Sequence, residues 1–200
     1  LPGGDKDGAG LGGGISVVST LGGTARKIAP EGRRPQFSPD GNWIAYWAGD
    51  MQAADLNIQD GARIYLVALA GGVPRQVRPD FVTAAYPAWS PDGKGLLFLG
   101  NRDKKLPEED SIDWWVTPLD SGPVIKTGAL EATRTAKLSG AFPIHPWMLV
   151  APAWQPDGDS LVFSARSGDT TNLWRIGISV KTWQVTGPPQ RLTSGSTLDE

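Results

Sequence analysis

Three segments, PQFSPDGNWIAY from Pro35, PAWSPDGKGLLF from Pro87 and PAWQPDGDSLVF from Pro152, superpose without a gap. Phe37, Trp89 and Trp154 share one column. Asp40, Asp92 and Asp157 share another, followed by Gly41, Gly93 and Gly158, and Tyr46, Phe98 and Phe163 close the units. Pro-Asp-Gly after Ser or Gln is turn chemistry: Pro presets φ, Asp bonds the backbone two residues on, and Gly takes positive φ. The residues before each turn read as a short strand. Those after it, Ile44-Ala45-Tyr46, Leu96-Leu97-Phe98 and Leu161-Val162-Phe163, are continuously apolar and read as buried strands.

A second repeat lies between the first: ISVVSTLGG from Ile15, IYLVALAGG from Ile64, WWVTPLDSG from Trp114 and LWRIGIS from Leu173. Its starts are 49, 50 and 59 residues apart, a propeller-type period. It adds a strand, a tight turn and a last strand such as Arg75-Gln76-Val77 or Gln190-Arg191-Leu192. One unit is therefore four antiparallel strands, A to D, with A–B and C–D hairpins, which describes a propeller blade. No stretch holds a helical period over ten or more residues. The fold class is all-β, a partial β-propeller with an open ring of about three and a half blades. The expected organisation is a flexible Gly-rich lead-in at 1–14, the outer strands of an incomplete blade at 15–34, blades at 35–79, 87–130 and 152–195, and a long inter-blade loop at 131–151.

Composition agrees with this reading. The chain holds 26 Gly and 17 Pro among 200 residues, the proportion that many tight turns demand, and 9 Trp to fill a core. A net charge of −2, with Lys and Arg scattered, excludes a nucleic-acid surface for this domain. Zero Cys removes disulfides, thiolate metal sites and Cys catalysis. No apolar run reaches the roughly 20 residues of a membrane helix. The lead-in LPGGDKDGAGLGGG has neither an initiator Met nor a signal-sequence pattern. Three and a half blades do not close a ring. The chain is thus expected to be a fragment of a longer one, or to complete its ring by self-association through open blade edges exposing Trp- and Phe-rich faces.

The pattern PxWSPDGxxLxF followed by a Gly-Gly-turned hairpin resembles the TolB-like, WD40-like (PD40) β-propeller repeat of bacteria, over roughly residues 15–195. SARSGDTTNLWRI and TWQVTGPPQRLTSG are similar to propellers fused to winged-helix regulators or serine/threonine kinases. The resemblance implies a binding or scaffolding module, the sensory part of a bacterial signalling protein, in a periplasmic or extracytoplasmic setting rather than a cytoplasmic one. The alternative it implies is the gating propeller of a prolyl-oligopeptidase-like serine peptidase, with its catalytic residues beyond Glu200. A carbohydrate-active propeller is a third class, needing acid/base residues from several blades.

A search for chemistry returns no catalytic constellation, so the chain is expected to be no enzyme. There is no G-x-S-x-G nucleophile elbow, and Ser38 and Ser90 precede Pro in turns. The acidic residues Glu108, Glu109, Asp110 and Asp113 lack EF-hand spacing and read as a solvated B–C loop. The recurring Asp residues of the turns lie on different blades, so no metal site is expected, and no cofactor. Trp47, Trp89, Trp115, Trp154 and Trp174 read as inter-blade core. In a propeller the B–C and D–A loops share one face. Arg102, Arg134, His145, Trp147 and Arg166 are the candidate binding residues of that rim, beside Asp103, Lys137 and Asp169, for a protein, peptide or glycan.

Overall fold

The computed structural model describes residues 13–49, 61–103, 105–140 and 152–194. Among these residues fourteen strands and two short helices follow one another. A two-stranded ribbon, β1 (Ile15–Val17) with β2 (Arg26–Ala29), precedes three four-stranded antiparallel sheets. The first is β3 (Arg33–Phe37), β4 (Trp43–Ala48), β5 (Arg63–Ala68) and β6 (Arg75–Val77). The second is β7 (Thr83–Trp89), β8 (Gly95–Asn101), β9 (Ile112–Pro118) and β10 (Ile125–Lys126). The third is β11 (Ala153–Trp154), β12 (Ser160–Ser167), β13 (Thr170–Gly177) and β14 (Gln190–Arg191). In each sheet spatial order equals chain order, and the first strands β3, β7 and β11 meet one another between sheets. This is a partial, open β-propeller with those strands on the inner side.

The Ser-Pro-Asp-Gly turns fold as their residues dictate. The Ser90 hydroxyl donates to Asp92 Oδ1 at 2.6 Å and accepts from the Gly95 N–H at 2.8 Å, while the Lys94 N–H donates to Asp92. Ser38 and Asp40 repeat the arrangement around the Trp43 and Asn42 N–H groups. These bonds, the Ser hydroxyl's first, hold the carboxyls of Asp40 and Asp92 below the usual range. The third copy has Gln155 in place of Ser. It keeps the backbone turn, Gly158 N–H to Gln155 O at 2.9 Å, but Ser160 Oγ is left buried without a partner. Ser90→Ala is expected to cost about 1–2 kcal/mol. It should also raise the Asp92 pKa toward its ordinary value. Because a lowered carboxyl stabilises above its unfolded pKa and loses that contribution as pH falls, the variant's acid-unfolding midpoint should move to higher pH. Circular dichroism through an acid titration measures both.

Alternation along the strands builds three inter-sheet cores. Leu96 and Phe98 of β8 face the first sheet, meeting Ala45, Trp47, Ile64 and Leu66. Leu97 and Leu99 face the third, joining Trp114, Leu161, Phe163 and Ile176. Ile15 and Ile28 of the ribbon cover Ile44 and Tyr46. The Trp residues assigned to the core from sequence all pack there, Trp47, Trp89 and Trp115 fully buried and Trp154 and Trp174 in part.

The outward face of the third sheet differs from the expected Trp- and Phe-rich surface. Where the second sheet buries Leu97, Leu99, Trp114 and Val116, the third presents Val162, Ser164, Leu173 and Arg175 at the same register positions. At the other end Phe37 is 55% exposed, against 8% for its repeat partner Trp89. Trp89 is covered because it reaches the preceding sheet and donates from Nε1 to the Gln36 carbonyl. The ribbon before β3 supplies no such inner strand among the described residues.

Two departures concern the acidic stretch and the long connection. Asp113, read as part of a solvated loop, is 1% exposed on β9. Its carboxylate accepts from the N–H groups of Trp114, Gly128 and Leu130 at 2.7, 3.0 and 3.2 Å. It thereby anchors the start of α2 (Ala129–Thr135), a seven-residue helix; α1 (Glu108–Ser111) is a single turn. After α2, Ser139 pairs with Arg166 at the end of β12. Among the described residues no helix is long and apolar enough to cross a membrane.

Candidate functional site

The end of the fold carrying the β8–β9 and β12–β13 connections, and the entries to β7 and α2, holds three of the rim residues chosen from sequence, Arg102, Arg134 and Arg166. Arg102 follows β8, reaches Asp80 at 3.8 Å, and lies over the rings of Phe81 and Trp115 at 5.9 and 5.8 Å. Arg134 sits on α2 and pairs with Glu131. Arg166 is exposed near the end of β12, its backbone paired with Ser139. No contact among the described residues joins the three to one another. His145 and Trp147 lie outside the described residues.

A denser arrangement occupies the same end, closer to the inner strands. β3 and β7 each carry a bulge, between Arg33 and Gln36 and between Ala85 and Ala88. Inside those bulges Arg34 and Tyr86, which occupy the same repeat position, take positive φ of 46° and 55°. Neither is glycine, so this conformation is strained and held by its surroundings. The bulge turns the two adjacent arginines onto different rings. The Arg33 guanidinium lies 5.0 Å from the Trp47 ring centre, and that of Arg34 lies 5.0 Å from Tyr86. Trp47 and Tyr86 themselves touch, with centroids 5.2 Å apart. Two cations thus flank one aromatic pair. Burial pushes the Tyr86 phenol above its ordinary pKa, while Arg34 and Arg33 act in the opposite direction.

What sets this layer apart is that its two cations, Arg33 and Arg34, face no carboxylate within ion-pair distance among the described residues. Arg33 Nε and Trp47 Nε1 are both buried without a hydrogen-bond partner. The neighbouring arginines have a carboxylate, since Arg78 pairs with Asp80 at 2.7 Å and Arg102 reaches the same group, although Arg78 Nε is also buried without a partner. Sequence reading missed the layer because Arg33, Trp47 and Tyr86 meet only through strand pairing and sheet stacking. The one local signal was the doublet Arg33-Arg34 before Pro35.

The opposite end holds two repeat-related grooves of about 330 Å³ each between successive Pro-Asp-Gly turns. Trp43 and Trp89 line one, and Trp154 and Trp183 line the other. Their repetition follows from the stacking of like sheets. No group of three or more His, Cys, Asp or Glu among the described residues is placed to hold a metal ion.

No known protein-family profile matches the chain. It is 27% identical over 139 residues to an uncharacterised peptidase of Bacillus subtilis, YuxL, a match spanning 70% of this chain and 18% of that protein. It is 24% identical over 160 residues to dipeptidyl-peptidase 5 of Porphyromonas gingivalis, spanning 80% of this chain and 20% of that protein. The chain therefore spans about a fifth of the length of these curated relatives. Among solved structures, a protein assigned as TolB from Agrobacterium tumefaciens superposes with a TM-score of 0.60 at 21% identity, over 92% of this chain and 56% of that one. The fold is TolB-like.

These relatives correct one expectation. The chain was read as no enzyme because its residues hold no nucleophile elbow with a base, yet both curated relatives are named peptidases, which points to a peptidase-like protein. These 200 residues match only a fifth of those proteins, so the catalytic groups they lack do not decide the chemistry of the whole. Neither relative is named as a regulator or a kinase.

Proposed function

We propose that this chain is propeller from a peptidase-like protein, in which it forms part of a gate that admits short peptides to a serine peptidase centre carried elsewhere in the protein. The observation that carries the reading is the pair of relatives named as peptidases, matched over 70% and 80% of the chain. Three stacked sheets with buried aromatic cores support the reading, because a gate needs a rigid wall. The TolB-like fold supports binding along that wall, and a periplasmic or extracytoplasmic setting belongs to the same proposal.

A gate selects by size. The whole protein carrying this chain is expected to cleave peptides of a few residues and to spare an intact unfolded protein containing the same sequences. Mass spectrometry of the two digests checks this. Equal cleavage of both would remove the gate, and cleavage of neither would remove the peptidase reading.

A further inference from the structure

The layer formed by Arg33, Trp47, Tyr86 and Arg34 is a set of donors waiting for an acceptor, and we infer that it binds a carboxylate of a peptide. The assignment rests on the geometry of this wall and stands whether or not the whole protein cleaves peptides.

Three observations converge. The first is an unsatisfied donor set. Trp47 is only 3% exposed, yet its indole N–H has no partner, and the Arg33 Nε–H is likewise buried and unpaired. A buried donor left empty costs about 1–3 kcal/mol, so a fold that keeps two of them beside one ring has a use for them or fills them with solvent. The second is the sign of the charge. Two guanidiniums face this aromatic pair with no carboxylate among the described residues, whereas Arg78 and Arg102 a short way along the same end share Asp80. The third is orientation. A guanidinium stacked on a ring has one face satisfied and its in-plane N–H groups free for a bidentate acceptor. A planar carboxylate matches that fork and is attracted by both charges. An ammonium ligand would instead be repelled by the two guanidinium charges that already occupy this aromatic pair.

The carboxylate has two sources in a peptide, the C-terminus and an acidic side chain. The test titrates the protein with four acetylated tripeptides: Ala-Ala-Ala with a free C-terminus, the same peptide as its amide, Ala-Glu-Ala amide and Ala-Gln-Ala amide. Calorimetry gives affinity, and the Trp47 indole N–H resonance reports contact at the layer. At least one carboxylate-bearing peptide should bind at least about tenfold more tightly than its neutral counterpart, the loss a charged hydrogen bond commonly carries, and should shift that resonance. Which one binds identifies the source. Arg34→Gln, at an exposed position, should weaken that binding by a similar factor while leaving the thermal midpoint unchanged. Equal affinity for charged and neutral peptides, no binding by either carboxylate peptide, or unchanged binding by Arg34→Gln overturns the assignment. Arg33→Lys serves as a second variant: it keeps the charge but loses the fork, so binding should fall although the sign of the site is kept.

Discussion

Replacing Trp114 by alanine is expected to cost about 3–5 kcal/mol, the range for truncating a buried aromatic. Trp114 has no exposed surface and is the largest fully buried side chain of the fold. It sits on β9 opposite Leu99 and meets the Phe163 ring edge-on, with centroids 5.3 Å apart. Its loss therefore opens a cavity between the second and third sheets, where few flexible groups can collapse into it. Domains are stable by only about 5–15 kcal/mol, so the change consumes a large part of the total. Trp114→Phe should recover part of it by keeping an aromatic edge in the gap. Denaturant melts of the two variants measure the difference. Near-equal stability of Trp114→Ala and the parent would mean that the second and third sheets do not pack as described.

Asp113→Ala carries the second large effect, about 3–5 kcal/mol. The substitution strands the N–H groups of Trp114, Gly128 and Leu130, and each unpaired buried donor costs about 1–3 kcal/mol. The damage should be local, releasing α2 from the edge of β9. Asp113→Asn should fall between alanine and the parent, since one amide oxygen still accepts while the NH₂ confronts a donor. The same residue gives a pH signature. Burial pushes its carboxyl above the usual range, against the pull of the Leu130, Trp114 and Gly128 N–H groups. With its pKa raised, the folded chain holds the proton over a window in which the unfolded chain has released it. Its contribution therefore declines as pH rises from about 3.8 through the raised value, and the alanine variant should lose that component of the pH dependence. Asp92 acts with the opposite sign. Melts at several pH values separate the two.

These two residues also mark how far the sequence could be read. The turns were legible because Pro-Asp-Gly encodes its own geometry within four residues, and the buried strands because Leu96-Leu97-Phe98 and its relatives are apolar on both faces. Repetition then supplied the sheet order. Asp113 was not legible: beside Glu108, Glu109 and Asp110 it looks like one more solvated charge. Only the return of the chain at Gly128 to Leu130 brings the donors that bury it. The Arg33–Trp47–Tyr86–Arg34 layer was hidden for a related reason. Its members are 53 positions apart at the extremes and are joined by bulges and by the stacking of two sheets. The rim residues Arg102, Arg134 and Arg166 were chosen by loop position. That rule selects one end of a propeller by its loops and passes over inner-strand side chains. Catalysis was the least legible property, because the groups absent from these residues say nothing of the rest of a protein whose relatives are about five times as long.

The central claim is that the chain belongs to a peptidase-like protein, and labelling by a fluorophosphonate tests it most directly. The reagent forms an adduct with the activated nucleophile of a serine hydrolase, and mass spectrometry locates the modified residue. The whole protein carrying this chain is treated in its folded state, with a heat-unfolded sample as control. The account predicts one adduct, abolished by unfolding, on a serine outside residues 1–200. A folded protein that takes up no reagent and hydrolyses no peptide would contradict it.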